Sequence, residues 1–189
     1  MAQDEMIELV IIGGSSGSLD AILKILPALD PDFVTPIIIV LHRNIASDSM
    51  LEEVLAARTR LKVTEAEEKE KITPGHIYVA PPDYHLLIEK DHTLSLDYSE
   101  KVNYSRPSID VSIESAAEIY GRKLACIILS GANADGTKGV VYAENMGSKI
   151  IIQDPAEALV TFMPEHAIGH TSVKNILSIQ GIILFLNSL

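Results

Sequence analysis

Three short segments carry residue types that together could perform acyl transfer. The first is Gly13-Gly14-Ser15-Ser16-Gly17, which fits G-x-S-x-G. On a strand-to-helix turn, small residues on either side let a serine project at a sheet edge while backbone N–H groups face a developing oxyanion. A serine hydroxyl needs a base, because its proton is too tightly held at neutral pH. His42, directly after the apolar run Ile37–Leu41, is the best candidate for that base. Asp135, in Asn133-Ala134-Asp135-Gly136, can orient His42 and stabilise its imidazolium form. Taken singly, each residue has another use. The glycine-serine turn could bind an anion at a helix N-terminus or be purely structural, although a full G-x-G-x-x-G and a G-K-[ST] ending are both missing. Asp135 could equally serve as a helix N-cap.

The remaining candidates point to less. His166 and His170 are four apart and could share a helix face beside Glu165, but neither H-E-x-x-H nor its inverse occurs, and no metal is expected. His76, His85 and His92 lie near turns and read as peripheral. Asp83 and Asp97 have no spacing that signals a carboxylate acid–base pair. The single cysteine, Cys126, sits in an apolar run and reads as a buried small hydrophobe.

The elements that must position these groups follow from apolar runs and their punctuation. Ile7–Ile12 reads as a strand, and Leu19, Ile22, Leu23, Leu26 and Leu29 recur at helical spacing, with Pro27 marking the end. Ile37–Leu41 and Leu124–Leu129 are fully apolar strands, and Ile77–Ala80 and Lys149–Ile152 are shorter ones. Helices are expected over Ser49–Arg58, Ile109–Ala117 and Lys138–Asn145. Leu86–Ile88 and Leu94–Leu96 read as a small antiparallel hairpin. Ile182–Leu189 packs back on the domain, as strand or helix. The alternation predicts an α/β fold: three layers, doubly wound, with a mostly parallel sheet. In such a sheet active sites collect beyond the carboxyl ends of strands, where Ser15, His42 and Asp135 all fall.

Composition narrows the class further. A chain of 189 residues suits one domain, 1–189, and 47% apolar with 22% charged residues is an ordinary globular mixture. With no tryptophan, the core must rest on branched aliphatics, as buried parallel sheets do. A net charge of -11 disfavours a nucleic-acid surface, since phosphate binding needs clustered positive charge. The acidic amino terminus does not read as a signal peptide, no apolar run is long enough to span a membrane, and one cysteine fits a cytoplasmic protein.

The marked segments coincide with those of a known family. The chain resembles the catalytic domain of the chemotaxis protein-glutamate methylesterases over nearly its full length. V-I-I-G-G-S-S-G-S at 10–18 resembles the nucleophile segment, V-L-H-R at 40–43 the base segment, and L-S-G-A-N-A-D-G at 129–136 the acid segment. P-G-H-I-Y-V-A-P-P at 74–82, R-P-S-I-D at 106–110, Q-D-P at 153–155 and M-P-E-H-A-I at 163–168 agree in order. The resemblance implies a cytoplasmic serine esterase of chemotaxis signal transduction, with Ser15 as nucleophile, His42 as base and Asp135 as acid. It would hydrolyse γ-glutamyl methyl esters on chemoreceptors to glutamate and methanol, with glutamine deamidation in some relatives and no cofactor. Backbone donors near Ser16 and Ala132 would hold the oxyanion, and Arg106 would position the substrate or form a salt bridge.

Three departures bear on the substrate. Ser18 stands where glycine is usual, Ala132 where methionine is common, and Arg43 beside the base where softer residues are usual. With the catalytic segment beginning near residue 1, the expectation is a single domain without the receiver domain of the usual bacterial enzyme, regulated by a separate protein. The partner is a methylated chemoreceptor cytoplasmic region or another methylated signalling protein. The alternative is a non-catalytic or differently targeted signalling module that kept the fold. In either case the net negative charge would repel an acidic receptor helix over long range, so docking would rely on local positive groups such as Arg43 or Arg106.

Overall fold

The computed structural model describes residues 6–43 and 50–189. The chain opens with β1 (Leu9–Gly14), α1 (Ser18–Ile25), β2 (Ile37–Leu41), α2 (Leu51–Ala56), β3 (Lys62–Glu65) and β4 (His76–Val79). The hairpin β5 (His85–Ile88) and β6 (Leu94–Asp97) follows, then α3 (Ile109–Tyr120), β7 (Leu124–Ile128), α4 (Thr137–Asn145) and β8 (Lys149–Gln153). The end is α5 (Phe162–His170), β9 (Ile176–Leu177) and α6 (Ile179–Asn187).

Seven strands form one sheet in the order β3-β4-β2-β1-β7-β8-β9, and every pairing in it is parallel. The central strands are buried on both faces, which is why β1, β2 and β7 are continuous apolar runs and not alternating ones. Helices α1, α2 and α6 cover one face, with Ile22, Ile25, Leu55 and Leu186 packed on Val10, Ile12, Ile39 and Ile127. The other face carries α3, α4, α5 and the hairpin, with Ile113, Val140, Met163 and Leu86 packed on Ile11, Val40 and Ile128. This is the expected three-layer α/β architecture with its small antiparallel hairpin.

From β1 the chain steps to β2, passes out to the edge at β3 and back in to β4, then crosses to β7 on the other side of β1 and winds outward through β8 and β9. The strand order therefore reverses between β1 and β7, which opens a crevice at their carboxyl ends. Most boundaries fall within two residues of those expected. The expected helix start at Ser49 lies outside the described residues; the described helix begins at Leu51. The terminal segment is a helix, α6, capped by the Ser178 hydroxyl accepting from the Gly181 N–H at 3.1 Å.

Candidate active site

Parity along the strands decides which face of the sheet each candidate occupies. In β1, Leu9 and Ile11 face α3 while Val10 and Ile12 face α1. A Cβ on Gly13 would meet Ile109 of α3, and one on Gly14 would meet Ser18 of α1. Continuing the alternation turns Ser15 toward α3. In β2, Val40 lies on the α3 side and Leu41 on the other, so His42 returns to the α3 side. Gly14 pairs with Leu41, and the His42 N–H reaches the Gly14 carbonyl at 3.4 Å, so Ser15 and His42 leave neighbouring strands one step later on the same face. The Ser15 N–H donates to the Ser130 carbonyl at 2.9 Å, tying the turn to the loop after β7 that bears Asp135.

Asp135 is fully buried and is held from several sides. Its Oδ2 accepts from the Ile109 N–H at 2.7 Å and lies 2.6 Å from His42 Nε2. Its Oδ1 accepts from the Ser108 hydroxyl at 2.8 Å, the Asp110 N–H at 3.2 Å and Asn103 Nδ2 at 3.3 Å. Burial pushes this carboxyl up, but the bonds from His42, the Ile109 N–H and Ser108 outweigh it and hold the carboxyl below its ordinary value. Asp135 is therefore an anion that only accepts, so His42 donates to it through an Nε2–H, and the tautomer that can serve as a base is the one with its lone pair on Nδ1. In the usual serine-protease arrangement the carboxylate holds Nδ1 and Nε2 is the base; here the carboxylate holds Nε2. Asn133 Nδ2 lies 3.4 Å from Nδ1, and the structure records no hydrogen bond between Ser15 Oγ and the ring.

The expected N-cap role of Asp135 takes a form the sequence does not reveal. The carboxylate caps α3, across the site, through the first two N–H groups of that helix. Beside it, Asp110 is also buried; its Oδ1 accepts from the Gly139 N–H at 2.8 Å and its Oδ2 from Asn103 Nδ2 at 2.8 Å. Desolvation, with the charge of Asp135 in support, lifts the Asp110 carboxyl to about 6. Asn103, Asp110 and Asn133 are the site residues that sequence reasoning passes over. Asp110 closes the quoted R-P-S-I-D motif, which was the available signal.

Ser16 and Ala132 are exposed on the turns after β1 and β7, and neither backbone N–H donates a hydrogen bond among the described residues. Arg106 is otherwise occupied. Its guanidinium donates to Asp83 Oδ1 at 2.7 Å and to the Ser99 carbonyl at 2.6 Å, and it stacks on the Tyr98 ring at 3.9 Å. Of the two roles open to Arg106, the salt bridge is the one its geometry carries. The Arg43 side chain is only 4% exposed and donates to Glu65 Oε2 at 3.0 Å and the Ala80 carbonyl at 3.2 Å. Both of these acceptors belong to the same chain.

His76 and His85 are less peripheral than their positions suggest, while His92 is exposed as expected. His85 is fully buried, with Nε2 at 2.9 Å from the Glu100 carbonyl and Nδ1 accepting from the Ser108 N–H at 3.1 Å. It thereby anchors the residue whose hydroxyl holds Asp135. His76 is buried against Tyr78, and Thr64 Oγ1 lies 2.8 Å from its Nε2. His166 and His170 do share one face of α5, with stacked rings 4.2 Å apart, and Nδ1 of His166 lies 2.9 Å from Thr137 Oγ1. Cys126 is fully buried in β7, where desolvation pushes its thiol pKa up.

Fold and site together define an α/β protein with a hydrogen-bonded histidine and carboxylate, and a serine turn tied to the carboxylate's loop, at the switch point of a parallel sheet. Residues 10–186 match the family model described as CheB methylesterase. A Leptospira interrogans protein whose name pairs methylesterase with glutaminase activity is 47% identical over 93% of this chain and 91% of its own length. The Thermotoga maritima protein-glutamate methylesterase/protein-glutamine glutaminase is 35% identical over 85% of this chain, which spans only 48% of that relative. The crystal structure of the Thermotoga maritima CheB methylesterase catalytic domain superposes with a TM-score of 0.92 at 33% identity, covering 96% of this chain and 98% of that one. The chain belongs to the CheB methylesterase family, whose named members are carboxylic ester hydrolases.

Proposed function

We propose that this protein hydrolyses γ-glutamyl methyl esters on a protein substrate through Ser15, His42 and Asp135. Ser15 Oγ attacks the ester carbonyl carbon while its proton passes to His42 Nδ1. The tetrahedral oxyanion is met by the Ser16 and Ala132 N–H groups. Collapse breaks the carbon–oxygen bond, His42 returns the proton to the departing methoxide, and methanol leaves an acyl-enzyme on Ser15. Water then attacks the acyl carbon with His42 again as base, restoring Ser15 and releasing glutamate. The same steps on a side-chain amide release ammonia, in keeping with the glutaminase activity named in the relatives.

The 2.6 Å contact between His42 Nε2 and Asp135 Oδ2 is the observation that carries this reading, since it sets the tautomer that frees Nδ1. The partner we infer is the cytoplasmic region of a methylated chemoreceptor or another methylated signalling protein. No described helix is long and apolar enough to cross a membrane, in keeping with a cytoplasmic site of action. The test is methanol release from a methylated receptor panel, paired with labelling by a serine-reactive phosphonate. Ser15→Ala and His42→Ala should abolish both; normal labelling in either variant would overturn the assigned mechanism.

A further inference from the structure

The segment between β6 and α3 contains a turn whose backbone is unusual for its residue types. Val102 and Ser105 exchange N–H···O bonds of 3.1 and 2.8 Å, and between them Asn103 and Tyr104 both sit at positive φ, +49° and +62°. Asparagine tolerates that region; a bulky aromatic residue rarely adopts it, and something must hold it there. The paired Val102–Ser105 bonds close the turn, and the Asn103 amide ties it to the site. The amide nitrogen donates to Asp110 Oδ2 at 2.8 Å and to Asp135 Oδ1 at 3.3 Å, one hydrogen for each of two buried carboxyls. On the other flank of the turn, Ser105 Oγ lies 3.5 Å from Asn133 Nδ2, and that nitrogen lies 3.4 Å from His42 Nδ1. The turn therefore touches the acid directly and the base through one residue.

Tyr104 stands between these two anchors and is 97% exposed. Its ring and hydroxyl make no hydrogen bond or ring contact among the described residues. The molecule keeps a costly backbone conformation whose visible effect is to hold an aromatic side chain in solvent beside the site. A tyrosine with an apolar face and a polar tip suits contact with another protein's surface, and little entropy is lost in fixing its two torsions.

Taking Ser15, His42 and Asp135 as the reacting set, we propose that this turn has two roles in the reaction. Asn103 is a positioning residue that holds the acid, and Tyr104 is a specificity-determining contact for the protein bearing the ester. The division follows from reach. Asn103 touches only enzyme groups, so its loss acts on the chemical step for any ester. Tyr104 touches no enzyme group that reacts, so its loss acts on binding, and only for a substrate large enough to meet it.

Steady-state kinetics on a methylated receptor fragment and on a small ester, p-nitrophenyl acetate, separate the two. Tyr104→Ala should raise KM for the protein substrate about tenfold with kcat unchanged, and leave the small ester untouched. Asn103→Gly removes the amide but still permits positive φ, so the turn survives; kcat should fall about 10- to 100-fold on both substrates with KM little altered. Asn103→Asp keeps the shape and replaces the donor with an acceptor facing two carboxyls, and kcat should fall further. An unchanged KM in Tyr104→Ala overturns the specificity role. Wild-type kcat in either Asn103 variant, folded by thermal melting, overturns the positioning role. If Ser15→Ala itself keeps activity, the reading of the triad fails instead, a result distinct from both.

Discussion

Asp135 and Asp110 lie side by side, bridged by one amide, yet their environments pull them in opposite directions. Asp135 takes donors on both oxygens and is held anionic, which suits a group that must stabilise an imidazolium. Asp135→Asn should keep the fold by melting temperature and lower kcat by roughly 10³- to 10⁴-fold, because the amide no longer enforces the tautomer that frees Nδ1. Asp110 has fewer donors and a carboxylate neighbour, and its carboxyl rises from 3.8 to about 6. The sign of the linkage follows. Between those two values the folded chain holds a proton that the unfolded chain has released, so this group makes stability fall as pH rises through the window and leaves it level above. Asp110→Asn should remove that slope, on the order of 1–3 kcal/mol, in denaturant unfolding compared at pH 4.5 and pH 6.5.

At the scale of elements, the two carboxylates tie α3 and α4 together by capping each other's helix. Asp135, in the lead into α4, accepts from the first N–H groups of α3; Asp110, in the first turn of α3, accepts from Gly139 of α4. Both helix N-termini thus point at the acid pair, and their dipoles favour its negative charge. The seating of α3 also depends on Gly13, since a Cβ there would lie 2.5 Å from Ile109 Cγ2. Gly13→Ala should lower stability by about 1–3 kcal/mol through overpacking. Because the Ile109 N–H holds Asp135, the same change should also lower kcat of the folded enzyme. Thermal unfolding and ester hydrolysis measure the two effects separately, and a loss of stability with unchanged kcat would break the link between them.

For the molecule as a whole, charge sets how an acidic partner arrives. The formal net charge is -11, while Arg43 and Arg106, the two cations the sequence offers for docking, are engaged with Glu65 and Asp83. An acidic receptor fragment is therefore met by repulsion that salt screens. Its kcat/KM should rise about two- to fivefold between low salt and physiological ionic strength, whereas a neutral small ester should show no change. Falling kcat/KM with salt would mean that a local positive surface guides docking after all.

How much of this was legible in the sequence can be judged element by element. The long buried strands Ile37–Leu41 and Leu124–Ile128 were plain, because a strand covered on both faces needs an unbroken apolar run. Strand β3, Lys62–Glu65, was missed. It is an edge strand with one buried side chain, Val63, and it resembles solvated loop. Strand β9 has two residues and no pattern to read. Ser15, His42 and Asp135 stood out as candidates because each follows a central strand, and the family-like segments fall in the same order. Asn103, Asp110 and Asn133 were not legible as site residues, since polar residues in loops and first turns have many uses and their spacing carries no period.

The sequence by itself determined the α/β architecture and the identity of Ser15, His42 and Asp135 as candidates, because strand burial and glycine turns are local properties of the chain. Only the tertiary structure decided that His42 presents Nε2 to the acid and leaves Nδ1 outward, that Arg43 and Arg106 turn to carboxylates of the same chain, and that one asparagine joins two buried acids. Those are properties of side-chain contacts between segments as much as 93 residues apart, which arise only when the strands are packed in order.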